Sequence, residues 1–323
     1  MHGIECYEIL KDKILLCTVY HLLCTEFKGD KHMAVKIYID GKLYHKKDAK
    51  ISIFDHGFLY GDGVFEGIRS YKRLVFHLKE HIDRLYESAD AIMLKVSLTK
   101  PQMIKAVCDT LKTNKLTDAY IRLIITRGEG DLGLDPRKCN GNSKIIIITD
   151  KIALYPKEYY KNGLSIITAK TQQNSMKALS PQIKSLNYLN NILAKIEAIK
   201  AGSEEAIMLN YKGYVTECTG DNLFIVKKGI VYTPKLSLGL LKGITRDAVI
   251  AIAKKNKIKI KMDTFKCDRV YKADECFLTG TAAEIIPVVK VDGMRIGNGK
   301  PGKLTNLFLR EFHKFTKTDG VRY

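Results

Sequence analysis

The sequence predicts an α+β protein with two domains, and three observations lead to that expectation. The chain has 323 residues, which is long for one typical domain. Strand-like and helix-like patterns of apolar residues follow one another along it, and 46% of its residues are hydrophobic, enough for a buried core. Residues 151–163 (KIALYPKEYYKNG) interrupt these patterns. We therefore expect a small α/β domain over 33–150, a linker over 151–163 and a larger domain over 164–323.

The stretch 1–32 differs from the rest of the chain. Its apolar run, residues 14–24, is too short to cross a bilayer. Glu5, Glu8 and Asp12 precede that run and no small-residue cleavage site follows it, which argues against a signal peptide. We expect the core to begin near Met33, with 1–32 as an extension outside it, and we expect no membrane partner.

Charge and cysteine content narrow the classes of function. Lys and Arg number 54 against 35 Asp and Glu, which gives a net charge of +19. Such a surplus is typical of nucleic-acid-binding proteins, but here the lysines are scattered and no arginine-rich arm or aromatic RNA-binding motif is present. We expect no nucleic-acid partner, and a surface that favours anionic small molecules instead. The 8 cysteines form no CxxC pair, so reduced thiols in a cytoplasmic protein are the simplest expectation.

The first half of the chain begins with a hairpin. VKIYIDGKLY places Asp40-Gly41 at a tight turn between two strands. The stretch ISIFDHGFLYGDGVFEGIRSY carries four glycines among aromatic residues, which suits a chain that turns sharply near a ligand. RLVFHL predicts a further strand.

Two helices and two strands complete this half. KEHIDRLYESADAIML places Ile82, Leu85, Ala89 and Ile92 on one face of a helix. Thr99, followed by Lys-Pro, predicts the capped start of a second helix that ends near residue 111. AYIRLIITRG and KIIIITD are strand-like, and the loop GEGDLGLDPRKCNGNS separates them.

The second half opens with the strand LSIITAK, followed by a long helix over SLNYLNNILAKIEAIKAG with Lys184 directly before it. The apolar face of this helix is predicted to be Leu186, Leu189, Leu193, Ile196 and Ile199. EAIMLN and YVTEC are predicted strands joined at residues 211–213, and a helix begins at residues 243–245. ECFLTGTAAEIIPVVKVDGMRI is mostly strand and turn.

Lys184 and Glu217 are the strongest candidates for residues that carry out a reaction. A lysine that can form a Schiff base and a carboxylate that can hold a pyridinium nitrogen are the two groups that a pyridoxal phosphate (PLP) enzyme needs most. A phosphate needs donors as well, and Gly243-Ile244-Thr245 at a helix start offers backbone N–H groups and a hydroxyl at the positive end of the helix dipole. No Walker-type loop is present in the sequence.

The segments IKSLNYLNNILAKIEA and YVTECTGDNLFIV, in this order, resemble the class IV aminotransferases. The resemblance extends from about Val35 to the C-terminus and implies fold type IV, the two-domain D-amino-acid-aminotransferase-like fold, with PLP in the cleft between domains. It implies that Lys184 holds PLP and moves the substrate proton, that Glu217 faces the ring nitrogen and that Tyr188 lies near the phenolate oxygen. The implied phosphate cup consists of Ile244, Thr245, Thr281 and a bidentate Arg84.

Within this family, the chain is most similar to the branched-chain aminotransferases. The resemblance implies a reversible transfer of the amino group from L-leucine, L-isoleucine or L-valine to 2-oxoglutarate, in amino-acid biosynthesis, by a cytoplasmic homodimer or a larger assembly of dimers. Arg122 would receive the distal carboxylate of glutamate, and Leu134 would reach the pocket of a neighbouring subunit. The implied substrate-binding residues are Tyr60, Phe65, Gly67, Tyr120, Arg122, Leu134, Thr281 and Ala282.

Alternatives remain at two points. Ser185-Leu186-Asn187 is more similar to the D-amino acid aminotransferases, and aminodeoxychorismate lyases share the same fold, so both activities stay open. In addition, His77-Leu78-Lys79-Glu80-His81 fits H-x-x-E-H, an inverted zinc-peptidase motif. However, His77 ends a strand-like run, so the helix is expected to begin only at or after Leu78, and no third ligand stands out. We therefore expect no metal.

Overall fold

The computed structural model describes residues 35–139, 141, 143–151 and 155–323. Lys36–Tyr323 forms one compact unit that contains two β-sheets. Among the described residues, no helix is both long enough and apolar enough to cross a bilayer. The expectations for residues 1–32 and for a start near Met33 lie outside this part of the chain, and the division into domains at 151–163 stays a prediction.

The first sheet has seven strands, and every neighbouring pair in it is antiparallel. Its order is β16-β4-β3-β5-β6-β1-β2. The predicted hairpin at Asp40-Gly41 is confirmed, because Ile39 pairs with Lys42 across the turn. The strands are β1 (Lys36–Ile39), β2 (Lys42–His45), β3 (Gly63–Tyr71), β4 (Leu74–Phe76), β5 (Ala119–Thr126), β6 (Lys144–Asp150) and β16 (Gly320–Arg322).

Three helices accompany this sheet: α1 (His56–Tyr60), α2 (Leu78–Ala91) and α3 (Lys100–Thr113). The predicted face of α2 is confirmed in its central part, since Ile82, Leu85 and Ala89 are fully buried in the core beneath the sheet. The predicted start of α3 is also confirmed, because the Thr99 side chain accepts a hydrogen bond from the Gln102 N–H in a capping box.

The second sheet has nine strands in the order β12-β11-β10-β13-β14-β7-β8-β9, with β15 paired to β14. Its parallel pairs are β7–β8, β7–β14 and β11–β12. The strands are β7 (Leu164–Thr168), β8 (Glu205–Leu209), β9 (Val215–Cys218), β10 (Asn222–Lys227), β11 (Ile230–Pro234), β12 (Ile260–Asp263), β13 (Glu275–Gly280), β14 (Glu284–Val291) and β15 (Met294–Arg295). The helices are α4 (Lys157–Asn162), α5 (Leu189–Lys200), α6 (Ile244–Lys255), α7 (Cys267–Tyr271) and α8 (Lys303–Phe315).

The expectation that a helix follows Lys184 directly is wrong. Helix α5 begins at Leu189, and the segment around Lys184 is extended along the N-terminal half of β3. The Phe65 N–H donates to the Lys184 carbonyl (3.0 Å), and the Leu186 N–H donates to the Gly63 carbonyl (2.9 Å). Because β3 offers these backbone partners here, the segment adds to the sheet instead of starting the helix.

The apolar face predicted for α5 does not pack into the core of this chain. Leu189, Leu193, Ile196 and Ile199 are 40–68% exposed, whereas Ala194 and Ala198 are fully buried. The two alanines pack with Ala206 and Met208 of β8. Small side chains allow the helix to lie close to the sheet, so the larger apolar residues project from the opposite side. The apolar period of α5 therefore marks an exposed face of the helix and not a face packed into the core of this chain.

No helix or strand was predicted after residue 296, where the structure forms two further elements. Helix α8 packs Phe308 and Phe312 into the core, and the ring centres of Phe308 and Phe277 lie 5.6 Å apart. Strand β16 then returns to the first sheet and pairs with β4. The stretch 151–163 also contains more structure than expected, because α4 forms within it.

Candidate active site

One cavity brings most of the predicted site residues together. It has a volume of about 630 Å³ and is lined by side chains from both sheets. The predicted residues that line it are Phe65, Gly67, Arg84, Tyr120, Arg122, Lys184, Tyr188, Glu217, Ile244, Thr245, Thr281 and Ala282. A cavity of this size can hold a small organic ligand.

Lys184 enters the cavity from the extended segment beside β3. Its backbone N–H donates to Ser88 Oγ of α2 (3.1 Å), which fixes the start of the side chain. Its Nζ donates to the hydroxyl of Tyr188 (2.9 Å) and lies 4.5 Å from the centre of the Phe65 ring. Lys184 therefore presents its amine to the cavity against one hydroxyl and one aromatic face.

Glu217 lies on β9, a strand in which every residue is buried. Its carboxyl accepts hydrogen bonds from Gln173 Nε2 (2.8 Å), the Leu241 N–H (3.1 Å) and Asn222 Nδ2 (3.2 Å). Burial nevertheless raises the pKa of Glu217 to about 8, because neither these donors nor the charges of Lys184 and Arg84 offset the loss of water. Without a closer cation, this carboxyl keeps its proton near neutral pH.

Arg84 reaches the cavity from α2 and is oriented by Glu66. Arg84 Nε and Nη2 each donate to a Glu66 oxygen at 2.7 Å, and His81 Nδ1 lies 2.7 Å from the same carboxylate. Burial alone would raise the pKa of Glu66, yet the adjacent charge of Arg84 and the hydrogen bond from His81 hold it at about 2. The predicted bidentate fork of Arg84 is thus directed at Glu66, and Nη1 donates to the Lys242 carbonyl (2.7 Å).

The start of α6 forms an anion cradle next to Arg84. Gly243 is the N-cap, and no side chain caps the helix. A Cβ at Gly243 would lie 2.0 Å from Asn222 Oδ1, so only glycine allows this close approach. In addition, the buried hydroxyl of Thr279 has no hydrogen-bond partner among the described residues. Uncapped N–H groups at a helix start, together with a nearby guanidinium, suit a phosphate group.

Another wall of the cavity is formed by alternate residues of β5. Ile121 and Leu123 are fully buried in the core, so the alternate residues Tyr120 and Arg122 face the cavity. The Arg122 guanidinium lies 4.5 Å from the Phe65 ring centre and 5.7 Å from that of Tyr120. No carboxylate of the described residues forms an ion pair with it. This wall therefore offers aromatic surface and an available positive charge to the same ligand.

Gly67 makes this wall possible, because it pairs with Arg122 across the strands and leaves room for the Tyr120 hydroxyl. A Cβ at Gly67 would lie 2.2 Å from that oxygen.

Two predicted substrate residues lie away from the cavity in this single chain. Tyr60 is 36% exposed, and its hydroxyl donates to the Leu132 carbonyl (2.5 Å). Leu134 is 80% exposed on the same loop. That loop is also held by the buried pair of His56 and Cys139, whose Nδ1 and Sγ lie 3.3 Å apart. The substrate roles of Tyr60 and Leu134 stay predictions.

Several residues that line the cavity were not predicted from the sequence, among them Tyr155, Glu205 and Asp221. Burial and the negative charge of Glu205 raise the pKa of Asp221 to about 7, and burial strongly raises the pKa of Tyr155. Tyr155 lies in the irregular stretch before α4, and Asp221 lies in the turn between β9 and β10. Neither segment has a periodic pattern that would assign its side chains to a face.

The H-x-x-E-H motif does not assemble a metal site. Helix α2 begins at Leu78, as expected, and His77 precedes it with φ of 47°. His81 is directed at Glu66 in the core, whereas His77 Nδ1 lies 3.3 Å from Glu80. Within the residues that the structure describes, no group of three or more His, Cys, Asp and Glu is placed to hold a metal ion.

The amine of Lys184, the buried carboxyl of Glu217 and the uncapped start of α6 thus lie around one cavity, an arrangement compatible with a transferase that processes amino groups with a phosphorylated cofactor. The model of the amino-transferase class IV family matches residues 63–291. The chain belongs to the class IV aminotransferases, as the sequence resemblance predicted.

Known proteins support this assignment. A Methanocaldococcus jannaschii protein, whose name assigns it provisionally to the branched-chain-amino-acid aminotransferases, is 50% identical over 288 residues, which cover 89% of this chain and 99% of that protein. The crystal structure of the Escherichia coli branched-chain amino acid aminotransferase superposes with a TM-score of 0.86 at 34% identity, covering 90% of this chain and 97% of that one. The predicted fold type IV is thereby confirmed.

A second solved structure bears on the cofactor. The branched-chain amino acid aminotransferase of Thermobaculum terrenum, determined in its PLP form, superposes with a TM-score of 0.81 at 27% identity. The aligned part covers 90% of this chain and 96% of that one.

Proposed function

We propose that this chain is a PLP-dependent branched-chain aminotransferase. It transfers the amino group of L-leucine, L-isoleucine or L-valine to 2-oxoglutarate, which gives the 2-oxo acid and L-glutamate. The observation that carries the proposal is that Lys184 and Glu217 line one cavity with an aromatic wall that also holds Arg122. The names of the relatives described above support the branched-chain substrate.

The residues of the cavity fit PLP. Lys184 supplies the amine that holds it, Glu217 supplies a carboxyl for the ring nitrogen, and Tyr188 supplies a hydroxyl beside that amine. Arg84, Ile244, Thr245 and Thr281 supply donors for the phosphate. When bound, PLP supplies the electron sink that stabilises the negative charge left on the substrate after the α-proton departs.

Lys184 Nζ acts as the general base and acid for this proton. Its hydrogen bond to the Tyr188 hydroxyl and its contact with the Phe65 face restrict the positions that the amine can take. A base held in one position transfers a proton faster than a mobile one, because the required geometry is already established. The same amine can then return the proton when the 2-oxo acid is converted to the amino acid.

Burial raises the pKa of Glu217 to about 8 in the chain without a bound cofactor. When PLP is bound, Glu217 would be converted to its carboxylate form by the positive charge of the protonated ring, since an opposite charge lowers the pKa of an acid. The hydrogen bonds from Gln173, Asn222 and the Leu241 N–H then stabilise that carboxylate. In this way Glu217 helps to keep the proton on the ring nitrogen.

The cavity wall formed by Phe65 of β3 with Tyr120 and Arg122 of β5 suits both an apolar and an acidic substrate side chain. The rings of Phe65 and Tyr120 offer apolar surface to the side chain of leucine, isoleucine or valine. Arg122 offers a cation to the distal carboxylate of glutamate. The backbone N–H groups of Thr281 and Ala282 would hold the α-carboxylate that both substrates share.

We further propose a homodimer or a larger assembly of dimers. The apolar face of α5 and the loop with Leu134 both expose large hydrophobic side chains, a feature typical of contact surfaces. We also propose a cytoplasmic location, which agrees with the free thiols of all five cysteines in the described residues.

The test is a set of half-reactions with the PLP-loaded protein. The change in cofactor absorbance is followed as L-leucine, L-glutamate or D-alanine is added. L-leucine and L-glutamate should convert the cofactor, and D-alanine should do so more weakly. A stronger response to D-alanine would assign the chain to the D-amino acid aminotransferases instead.

The variant Arg122→Leu separates the two substrates. Loss of one charge-assisted hydrogen bond should weaken glutamate about tenfold to a hundredfold while leaving leucine within a few-fold. Arg310→Leu is the matched control, because Arg310 is an exposed arginine paired with Glu311 on α8, outside the cavity. If Arg122→Leu weakens both substrates equally, Arg122 does not receive the distal carboxylate.

A further inference from the structure

The turn between β13 and β14 has an unusual residue at its end. Thr281, Ala282 and Ala283 form the turn, and Gly280 pairs with Glu284 across it. Glu284 has φ of +58°, in the left-handed region where a glycine fits without steric conflict. The shape of this hairpin therefore favours glycine at 284, and the presence of a glutamate there points to a role for its side chain.

That side chain is the centre of a cluster of polar groups. Glu284 is 7% exposed. Its Oε1 accepts a hydrogen bond from the Tyr71 hydroxyl (2.9 Å) and lies 3.1 Å from Arg69 Nη1, while its Oε2 lies 2.8 Å from His313 Nε2. Arg69 and Tyr71 belong to β3 in the first sheet, and His313 belongs to α8. One carboxylate thus ties the turn of the second sheet to a strand of the first.

The cluster also acts on the turn itself. Arg69 Nη1 donates to the Ala282 carbonyl (3.1 Å), and the Tyr160 hydroxyl donates to the Ala283 carbonyl (3.0 Å). Because a peptide group is planar, holding these carbonyl oxygens fixes the orientation of the peptide planes in the turn. The cavity is lined by Thr281 and Ala282 but by neither Arg69 nor Glu284.

We propose that Arg69 and Glu284 are positioning residues for the α-carboxylate of the substrate. They hold the turn in the conformation that directs the N–H groups of Thr281 and Ala282 into the cavity, and they touch no substrate atom themselves. The inference rests on the proposed function, because it concerns the same carboxylate site.

Three variants test this pairing. Glu284→Gln keeps the shape of the side chain and removes its charge. Glu284→Gly removes the side chain at a position whose left-handed backbone glycine adopts readily, so the substitution adds no backbone strain. Arg69→Lys keeps a positive charge but replaces Nη1, the nitrogen that contacts both Glu284 and the Ala282 carbonyl, with a compact ammonium group.

The probe is 4-methylpentanoate, which has the carbon skeleton of leucine and a carboxylate but no amino group. Its Kd for the PLP-loaded protein reports carboxylate binding without any chemical step. All three variants should raise this Kd, and the KM for leucine, by about tenfold, the effect of one weakened charge-assisted hydrogen bond. We expect kcat to stay within a few-fold and PLP to be retained.

Glu275→Gln is the matched control on the same hairpin. Glu275 accepts hydrogen bonds from the N–H groups of Leu304 (3.1 Å) and Thr305 (2.8 Å), so its loss should lower Tm by weakening the start of α8. A lower Tm alone should leave the Kd of the probe unchanged.

Two failures can be told apart. If the Glu284 and Arg69 variants bind the probe as tightly as the wild type, the positioning role is refuted while the proposed function stands. If the wild type itself neither binds the probe nor reacts with branched-chain amino acids, the proposed function fails, and the inference fails with it.

Discussion

The substitution Glu217→Gln should change how the stability of the cofactor-free protein depends on pH. Burial raises the pKa of Glu217 from the ordinary 4.5 to about 8 in the folded chain. Between these two values the folded protein keeps a proton that the unfolded chain has lost. Stability must therefore fall as pH rises through this window, by about 1.4 kcal/mol per pH unit, because the folded state binds more protons.

The magnitude follows from the width of the window. The interval from 4.5 to about 8 corresponds to about 5 kcal/mol at about 1.4 kcal/mol per unit. This contribution is fully present below the lower pKa and is lost above the higher one. Glutamine does not titrate, so the free energy of unfolding of Glu217→Gln lacks this slope.

The assay is urea unfolding of the cofactor-free protein at several pH values from about 4 to about 9. The difference in unfolding free energy between wild type and Glu217→Gln should shift by about 5 kcal/mol in favour of the variant across that range. Glu158→Gln, at an exposed position on α4, is the matched control. Parallel stability curves for wild type and Glu217→Gln would refute the assignment of a buried, protonated Glu217.

Three further predictions concern the loaded protein. Borohydride reduction followed by peptide mapping should attach the cofactor to Lys184, and Lys184→Ala should carry no such label; a label on another lysine would exclude Lys184. Glu217→Gln should retain PLP but slow turnover by orders of magnitude, since a neutral amide cannot hold the pyridinium charge, and near-normal turnover would remove Glu217 from the mechanism. Glu66→Gln should weaken PLP retention on dialysis by about tenfold, because Arg84 loses its charged acceptor; unchanged retention would show that Arg84 is oriented without Glu66.

The elements that could be predicted from the sequence are those whose signal is local. The capping box at Thr99 needs only four consecutive residues, and the alternation in β5 needs only eight. The apolar stripe of α2 likewise lies within one helix and faces the core of its own chain. In each case the neighbouring residues that decide the structure are also neighbours in sequence.

Helix α5 shows what the periodicity of apolar residues cannot predict. Its apolar period is as clear as that of α2, yet the large residues are exposed and the alanines are buried. Periodicity reports that a helix has two unlike faces, but it does not report which face meets the sheet. The start of α5 was missed for a related reason: the partner of the Lys184 segment is β3, which lies more than 100 residues earlier in the chain.

The residues of the candidate site likewise divide into those indicated by the surrounding sequence and those that gave no local signal. Lys184, Glu217 and Arg122 were proposed because the sequence strings that surround them resemble those of the class IV aminotransferases. Glu66 gave no such signal, because its importance comes from Arg84 and His81, which approach it from another element. A role that is acquired only through packing cannot be derived from the sequence around the residue.

Glu66 and Glu217 show how one protein can use two buried carboxyl groups in opposite ways. Both are withdrawn from water, and burial alone raises the pKa of each. Arg84 forms a direct two-point contact with Glu66, so the pKa of that group falls to about 2 and its charge is permanent. Glu217 receives only neutral donors, and its pKa stays at about 8. Of the two carboxyl groups, only that of Glu66 contacts a cation of the chain directly, and under the proposed function the cation for Glu217 would be the protonated ring nitrogen of PLP. An acid arranged in this way binds a protonated ring nitrogen more tightly than a neutral ring, because only the protonated ring relieves the unfavourable burial of the carboxylate.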